Sequence, residues 1–426
     1  MTRQEKVFSF SNLTEPYAIT ITAGPERHFI AEALDIDGSI IYRGESTLDT
    51  YPGEPVTVHI VMQKAPYWAP SVYVNDNAAI GGNGSYNAPF NTIADAVTYI
   101  TSNTLNTEPI NIKVAAGTYN EKVFLASNIR LMGGYSEDFS TRRFISPQDR
   151  EKPAYKTLVK YTITMISEGV VSITSGSQNC TVEGLYIEIS PTTTQTSGIE
   201  LPITSENTRI FYNTVKQTNA QDYTRGIHMF SSVSYYIIGN YVDIDTSQTY
   251  NVAIYDDQSS KASGDLTIAN NVLIGTAGIQ LNDTNNLVRY IIGNTIDADT
   301  GINMANVSSA VVINNLIKAS SATIIGAGSP TEVYNNYAFC PVTDNFGYDS
   351  TKNNISQLSS TTSQDPAYDI YKKATSDTRI YTNGATKPDT LSGTMNIPED
   401  IRELLYKDIL GVSRGPVWAI GAYQQQ

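Results

Sequence analysis

Apolar and polar residues alternate with a period of two in short runs along most of this chain, the pattern of half-buried β-strands. Near the start the runs cover residues 17–22, 28–34, 39–43 and 56–62. Between the second and third runs, Asp35-Ile36-Asp37-Gly38 reads as a hairpin turn, with glycine where positive φ is required. Short strands at this spacing predict a small β-sandwich over residues 1–65. Pro66 and Pro70 mark residues 66–71 as a linker. The period changes once: Ile93, Ala96, Val97 and Ile100 fall at i, i+3, i+4 and i+7. That spacing predicts a helix over residues 91–102, N-capped by Asn91 or Thr92, which is expected to cap the domain spanning 72–426.

Beyond the helix the alternation becomes a repeat. Its unit is an apolar stretch, then Asn, then an apolar residue two positions on. It runs Ile210-Phe-Tyr-Asn213-Thr-Val215, Ile237-Ile-Gly-Asn240-Tyr-Val242 and Ile268-Ala-Asn-Asn271-Val-Leu273. It continues as Ile291-Ile-Gly-Asn294-Thr-Ile296, Val312-Ile-Asn-Asn315-Leu-Ile317 and Val333-Tyr-Asn-Asn336-Tyr-Ala338. The asparagines are 27, 31, 23, 21 and 21 residues apart, and Leu185 holds the equivalent place 28 residues before Asn213. A second short strand in many units opens on glycine: Gly198, Gly226, Gly278, Gly301. A period of this length marks a solenoid. No helix-period segment recurs, which excludes leucine-rich and helical repeats. The expected fold is therefore all-β, a parallel β-helix with turns stacked ~4.8 Å apart. Asn then falls on Asn, and stacked amides form a hydrogen-bonded ladder, a structural role rather than a catalytic one. Cys180 and Cys340 are about six turns apart, roughly 29 Å at that spacing, so no disulfide is expected between them. The period ends near residue 340, and 341–426 is expected to wrap over or cap the stack, with a short helix or loop at 397–406.

Composition narrows the function. Of the 426 residues only 16% are charged, while Tyr numbers 28 against two Trp and 11 Phe. A net charge of −14 argues against nucleic-acid binding. No run of 18 apolar residues occurs, so no membrane-spanning helix is expected. Residues 1–5 are polar, so no secretory leader is expected in them, which leaves the location open. Two Cys and three His provide no zinc set. No cofactor is expected; calcium is the metal left open, without a clear site.

The chain resembles the right-handed parallel β-helix proteins of the pectate-lyase-like superfamily, especially secreted bacterial members. The resemblance rests on Val72-Tyr-Val-Asn-Asp76, Gly81-Gly-Asn-Gly84 and Ala88-Pro-Phe-Asn-Thr-Ile93 as an opening motif. Val114-Ala-Ala-Gly-Thr-Tyr-Asn-Glu121 and Ile129-Arg-Leu-Met-Gly-Gly-Tyr135 match its first turns. Gly415-Pro-Val-Trp-Ala-Ile-Gly-Ala-Tyr423 matches a closing motif, with Ala419 where Asp is usual. The leading segment resembles β-sandwich modules of bacterial lipoproteins. The resemblance implies an extracellular or bacterial cell-surface location, with any lipid or cell-wall anchor outside this sequence. This fold hosts lyases, hydrolases, adhesins and spacers, so activity has to be argued from a site.

Three outward rows carry the candidate chemistry. Three residues after each ladder position stand Glu188, Lys216, Asp243, Ile274, Asp297 and Lys318. Asp243 and Asp297 are the weak metal candidates, but Ile274 separates them by two turns, too far for one Ca²⁺. The second strand presents Glu200, His228, Tyr255, Gln280 and Asn303, with Phe230, Asp257 and Asn282 beside them. Rings, amides and carboxylates on one flat sheet suit sugars, which offer hydroxyls and an apolar C–H face. Tyr255, Gln280, Asn282, Asn303 and Phe230 are the binding candidates there, and Glu200, His228 and Asp257 are weak catalytic ones. The third row contains Tyr236 and Tyr290, either exposed stacking residues or residues packed under another segment. The expected function is a non-catalytic protein that binds glycans or extracellular matrix. The rivals are a polysaccharide lyase or glycoside hydrolase acting on an acidic polymer, and a structural surface spacer.

Overall fold

A computed structural model describes residues 20–34, 40–53, 55–60, 63–64, 69–143, 155–202, 204–230, 233–257, 265–282, 288–304, 307, 309–325, 331–334, 336–339, 355–357, 401 and 404–405. The chain divides into two compact units, Met1–Ala69 and Pro70–Gln426.

In the first unit the strands Gly24–Leu34 and Ile40–Thr50 pair antiparallel, and Gln63–Lys64 adds a third. The described residues thus form a single three-stranded sheet. The sandwich expectation is supported in part, residues 1–19 lying outside the described residues, and one strand expectation changes. The second sheet that a sandwich needs does not occur among the described residues. Residues 55–60, read as part of a strand from their alternation, have no strand partner and are mostly exposed. Alternation selects a strand only where one face finds something to cover it.

The second unit is a parallel β-helix, and three stacks of apolar residues fill it. The first runs Val72, Ile112, Leu131, Val182, Ile210, Ile237, Ile268, Ile291, Val312, Val333, each in register with the next. The second runs Val159, Ile187, Val215, Val242, Leu273, Ile296, Ile317. The third runs Val123, Val171, Ile199, Ile227, Ile254, Ile279, Ile302, Ile324. Most of these side chains are completely buried, and each contributes ~1.5–3 kcal/mol of hydrophobic stabilisation. β-Branched residues dominate because they fit the pleated, stacked surface.

The asparagine ladder forms at the corner between the first and second stacks. Asn213, Asn240, Asn271, Asn294, Asn315 and Asn336 are each 0–1% exposed. Each Oδ1 from Asn240 to Asn336 accepts two bonds, from the backbone N–H and the amide of the preceding Asn, at 2.8–3.0 Å. Each amide also donates to a carbonyl of the turn before. Leu185 needs no amide because it starts the ladder, and only its N–H donates, to Asn213. From Leu185 to Asn315 the residue before each ladder position has positive φ: Gly184, Tyr212, Gly239, Asn270, Gly293 and Asn314. Gly and Asn tolerate that conformation best, which explains why the repeats read Gly-Asn or Asn-Asn. The glycines that open the second strand have a different cause. A Cβ on Gly226 would lie 2.1 Å from Val242 Cγ1 and 2.5 Å from Ala253 O, and Gly198, Gly278 and Gly301 are equally crowded.

The helix Ile93–Ser102 buries Ile93, Ala96 and Ile100 in the same core and packs on the first strands of the unit. Thr92 caps it by accepting from Asp95 N–H, and the Glu121 carboxylate takes the N–H groups of Ile93 and Ala94 at 2.9 Å. In the final segment, Ile355–Gln357 adds one more parallel strand to the stack beside Tyr337–Phe339, and Ile401, Leu404 and Leu405 pack on Phe211, Tyr236, Ile238, Tyr290 and Ile313. Cys180 is buried as a free thiol; Cys340 and residues 415–423 lie outside the described residues.

Candidate active site on the second-strand face

Parallel pairing places Phe124, Ser172, Glu200, His228, Tyr255, Gln280 and Asn303 on one continuous ladder. Glu200 is the one carboxyl among these seven residues. Two steps away on one side stands the exposed ring of Phe124, two steps away on the other the half-buried ring of Tyr255, each ~10 Å distant at one strand spacing per step. Ser172, between Phe124 and Glu200, is small, so no large side chain separates the carboxyl from the ring.

Beside the ladder, Lys122 pairs with Glu168 at 2.8 Å and lies 4.7 Å from the Phe124 ring. The Arg225 guanidinium sits 4.4 Å from the Tyr255 ring centre. The Tyr255 hydroxyl accepts a hydrogen bond from the Asn282 amide at 3.0 Å. Ser197 donates to Glu200 over a long 3.4 Å. Burial pushes Glu200 above the usual carboxylate range, and Glu168 adds to the rise, while Lys122, Ser197 and Arg225 pull the other way. A carboxyl in this balance holds a proton longer than an exposed one and is suited to giving and retaking it. Tyr255 is also raised, by burial first and by Asp257 next.

The structure separates the sequence candidates. Glu200, Tyr255, Gln280, Asn282, Asn303, Phe230 and Asp257 lie along this face, all partly exposed. His228 is only 2% exposed. Burial and the neighbouring Arg225 push its pKa down to about 3, so it is neutral and closed to solvent rather than an accessible base. Tyr236 and Tyr290 are 7% and 4% exposed. They pack under Ile401 and Leu405, which corrects the exposed-stacking alternative for both. Asp243 and Asp297 flank Ile274 in register, and each pairs with a lysine, Lys216 at 3.5 Å and Lys318 at 2.9 Å. Among the described residues no three or more His, Cys, Asp or Glu converge as a metal site.

Sequence reasoning missed Lys122, Phe124, Glu168, Ser172 and Arg225. The first four precede the first Asn rung, on turns without the asparagine signature, and Arg225 directly precedes Gly226. Val123-Phe124-Leu125 is uniformly apolar, so the sequence does not show that the strand buries Val123 and Leu125 and exposes Phe124.

No family model matches the sequence, and no curated protein matches it. Solved structures similar to the chain include the pectin methylesterase PemA from Erwinia chrysanthemi, at 10% identity and a TM-score of 0.34, covering 67% of this chain and 92% of that one. The pectin methylesterase from Aspergillus niger, in deglycosylated form, is similar at 13% identity and TM-score 0.36, covering 70% and 92%. The pectin methylesterase from carrot follows at 12% identity and TM-score 0.33, covering 70% and 91%. These neighbours have the parallel β-helix fold, and the likeness extends to the fold alone. They are enzymes, which corrects the expectation of a non-catalytic binding protein.

Proposed function

We propose that this protein is a carbohydrate-active enzyme that processes a polysaccharide outside the cell, with Glu200 as general acid–base. The observation that carries this reading is the half-buried Glu200 carboxyl, held above the usual range and bracketed along one ladder by Phe124 and Tyr255. An aromatic ring on each side supplies stacking surface for sugar C–H faces. Arg225 orients the Tyr255 ring and Asn282 fixes its hydroxyl. Lys122 and Arg225 place positive charge near the carboxyl, where it stabilises the anion left after proton donation. Ser172 leaves room for a polymer to approach.

The test is turnover of a panel of neutral, acidic and methyl-esterified polysaccharides. New reducing ends, unsaturated products and released methanol are each followed. A substrate is expected, and Glu200→Gln is expected to lower its rate by ~10²-fold or more. Wild-type rates in Glu200→Gln, or no turnover of any polymer, would overturn the proposal.

A further inference from the structure

The ladder contains a polar atom that the acid–base role of Glu200 does not use. His228 lies directly between Glu200 and Tyr255. Its Nε2 is buried and has no hydrogen-bond partner. Leaving such a nitrogen unpaired is destabilising, so an unsatisfied buried group in a folded protein needs a reason. Apolar residues occupy many inward places of comparable burial in this fold, and a valine or isoleucine here would carry no such cost.

The surroundings suggest the reason. The Phe230 ring packs on the imidazole with centroids 4.0 Å apart, and Tyr255 lies 5.3 Å away on the neighbouring turn. Phe230 is two residues along the same strand direction, so both side chains leave the same face. Phe230 is the half-buried member of the pair and His228 the covered one. The Tyr255 ring is held by Arg225 and Asn282, whereas no polar bond can hold a phenylalanine ring. Of the two rings against His228, Phe230 is therefore the one whose displacement breaks no hydrogen bond.

We infer that His228 Nε2 is a ligand-binding group for a sugar hydroxyl, shut off by the Phe230 ring until ligand displaces it. A hydroxyl fits because it both donates and accepts, and so satisfies a neutral imidazole in either tautomer. A carboxylate accepts only, and satisfies just the tautomer that carries the proton on Nε2. The inference rests on the reading of this face as a polysaccharide site, but it concerns access and binding, not proton transfer.

The experiment is carbethoxylation by diethyl pyrocarbonate, located by peptide mass mapping, with exposed His59 as the internal standard. In the wild type His228 is expected to react at least about tenfold more slowly than His59, because reaction requires local opening. In Phe230→Ala, His228 is expected to react at a rate close to that of His59. Soluble neutral and acidic hexasaccharides at saturating concentration should then protect His228 and leave His59 unchanged. Phe230→Leu, which keeps the packing volume, provides the milder variant and should fall between. Equal His228 rates in all three proteins would refute the Phe230 cover, and lack of protection by every hexasaccharide would refute the hydroxyl-binding role. Neither readout depends on turnover: if Glu200→Gln stays active while Phe230→Ala uncovers a protectable His228, the acid–base reading fails and this one stands.

Discussion

Replacing Asn271 by Ala tests how much of this fold depends on the amide ladder. Asn271 is mid-ladder and fully buried. Its Oδ1 accepts from the Asn240 backbone N–H at 2.8 Å and from the Asn240 amide at 3.0 Å. Its own amide donates to Ile237 O and to Asn294 Oδ1, both at 2.9 Å. Alanine removes all four bonds. The bond from the Asn271 backbone N–H to Asn294 survives, so Asn294 keeps one donor. Two donors of Asn240 lose their partner in a dry corner. At ~1 kcal/mol net per bond the loss is about 4 kcal/mol, and stranding the two donors pushes it higher. The reference substitution is Asn282→Ala, which removes one bond at a half-buried site and is expected to cost under ~1 kcal/mol. Urea unfolding followed by circular dichroism gives both values from the midpoint shift. If Asn271→Ala costs no more than Asn282→Ala, the ladder is a by-product of stacking and the argument fails.

Three further outcomes follow from the same geometry. Gly226→Ala should destabilise by about 1–3 kcal/mol or more, because the new methyl meets Val242 and the Ala253 carbonyl; a neutral result in urea would show that the corner can relax. Glu200 is raised on folding, so the unfolded chain releases this proton first as pH rises. Its contribution to stability should fall between the ordinary glutamate pKa and the raised one, and Glu200→Gln should remove that slope from a plot of Tm against pH. Burial pushes the Cys180 thiol up to about 12, and its Sγ–H donates to Ala126 O at 3.2 Å. Native protein at pH 8 should therefore leave Cys180 unmodified by a thiol reagent that labels it in urea, as read by mass spectrometry.

The repeat was legible because each of its parts has one cause acting on neighbours in sequence. Isoleucine alternation, Asn after Gly or Asn, and glycine at the second corner are all needed turn by turn. The chain therefore fixes the β-helix, the ladder and the register that lines up Glu200, His228 and Tyr255. What it could not fix is which outward residue stays outward. Tyr236 and Tyr290 occupy the same row as Arg209 and Glu332, yet a segment more than 100 residues away in sequence covers them. Likewise His228 and Glu200 look alike in the pattern, yet His228 is buried against the rings of Phe230 and Tyr255 while Glu200 stays partly exposed. Lys122 and Phe124 reach the site through parallel pairing from a turn without the asparagine signature, and Arg225 reaches it from the turn of Asn213. Periodicity is a local property and specifies which face a side chain leaves; burial and charge environment depend on what arrives from elsewhere, which only the packed structure determines.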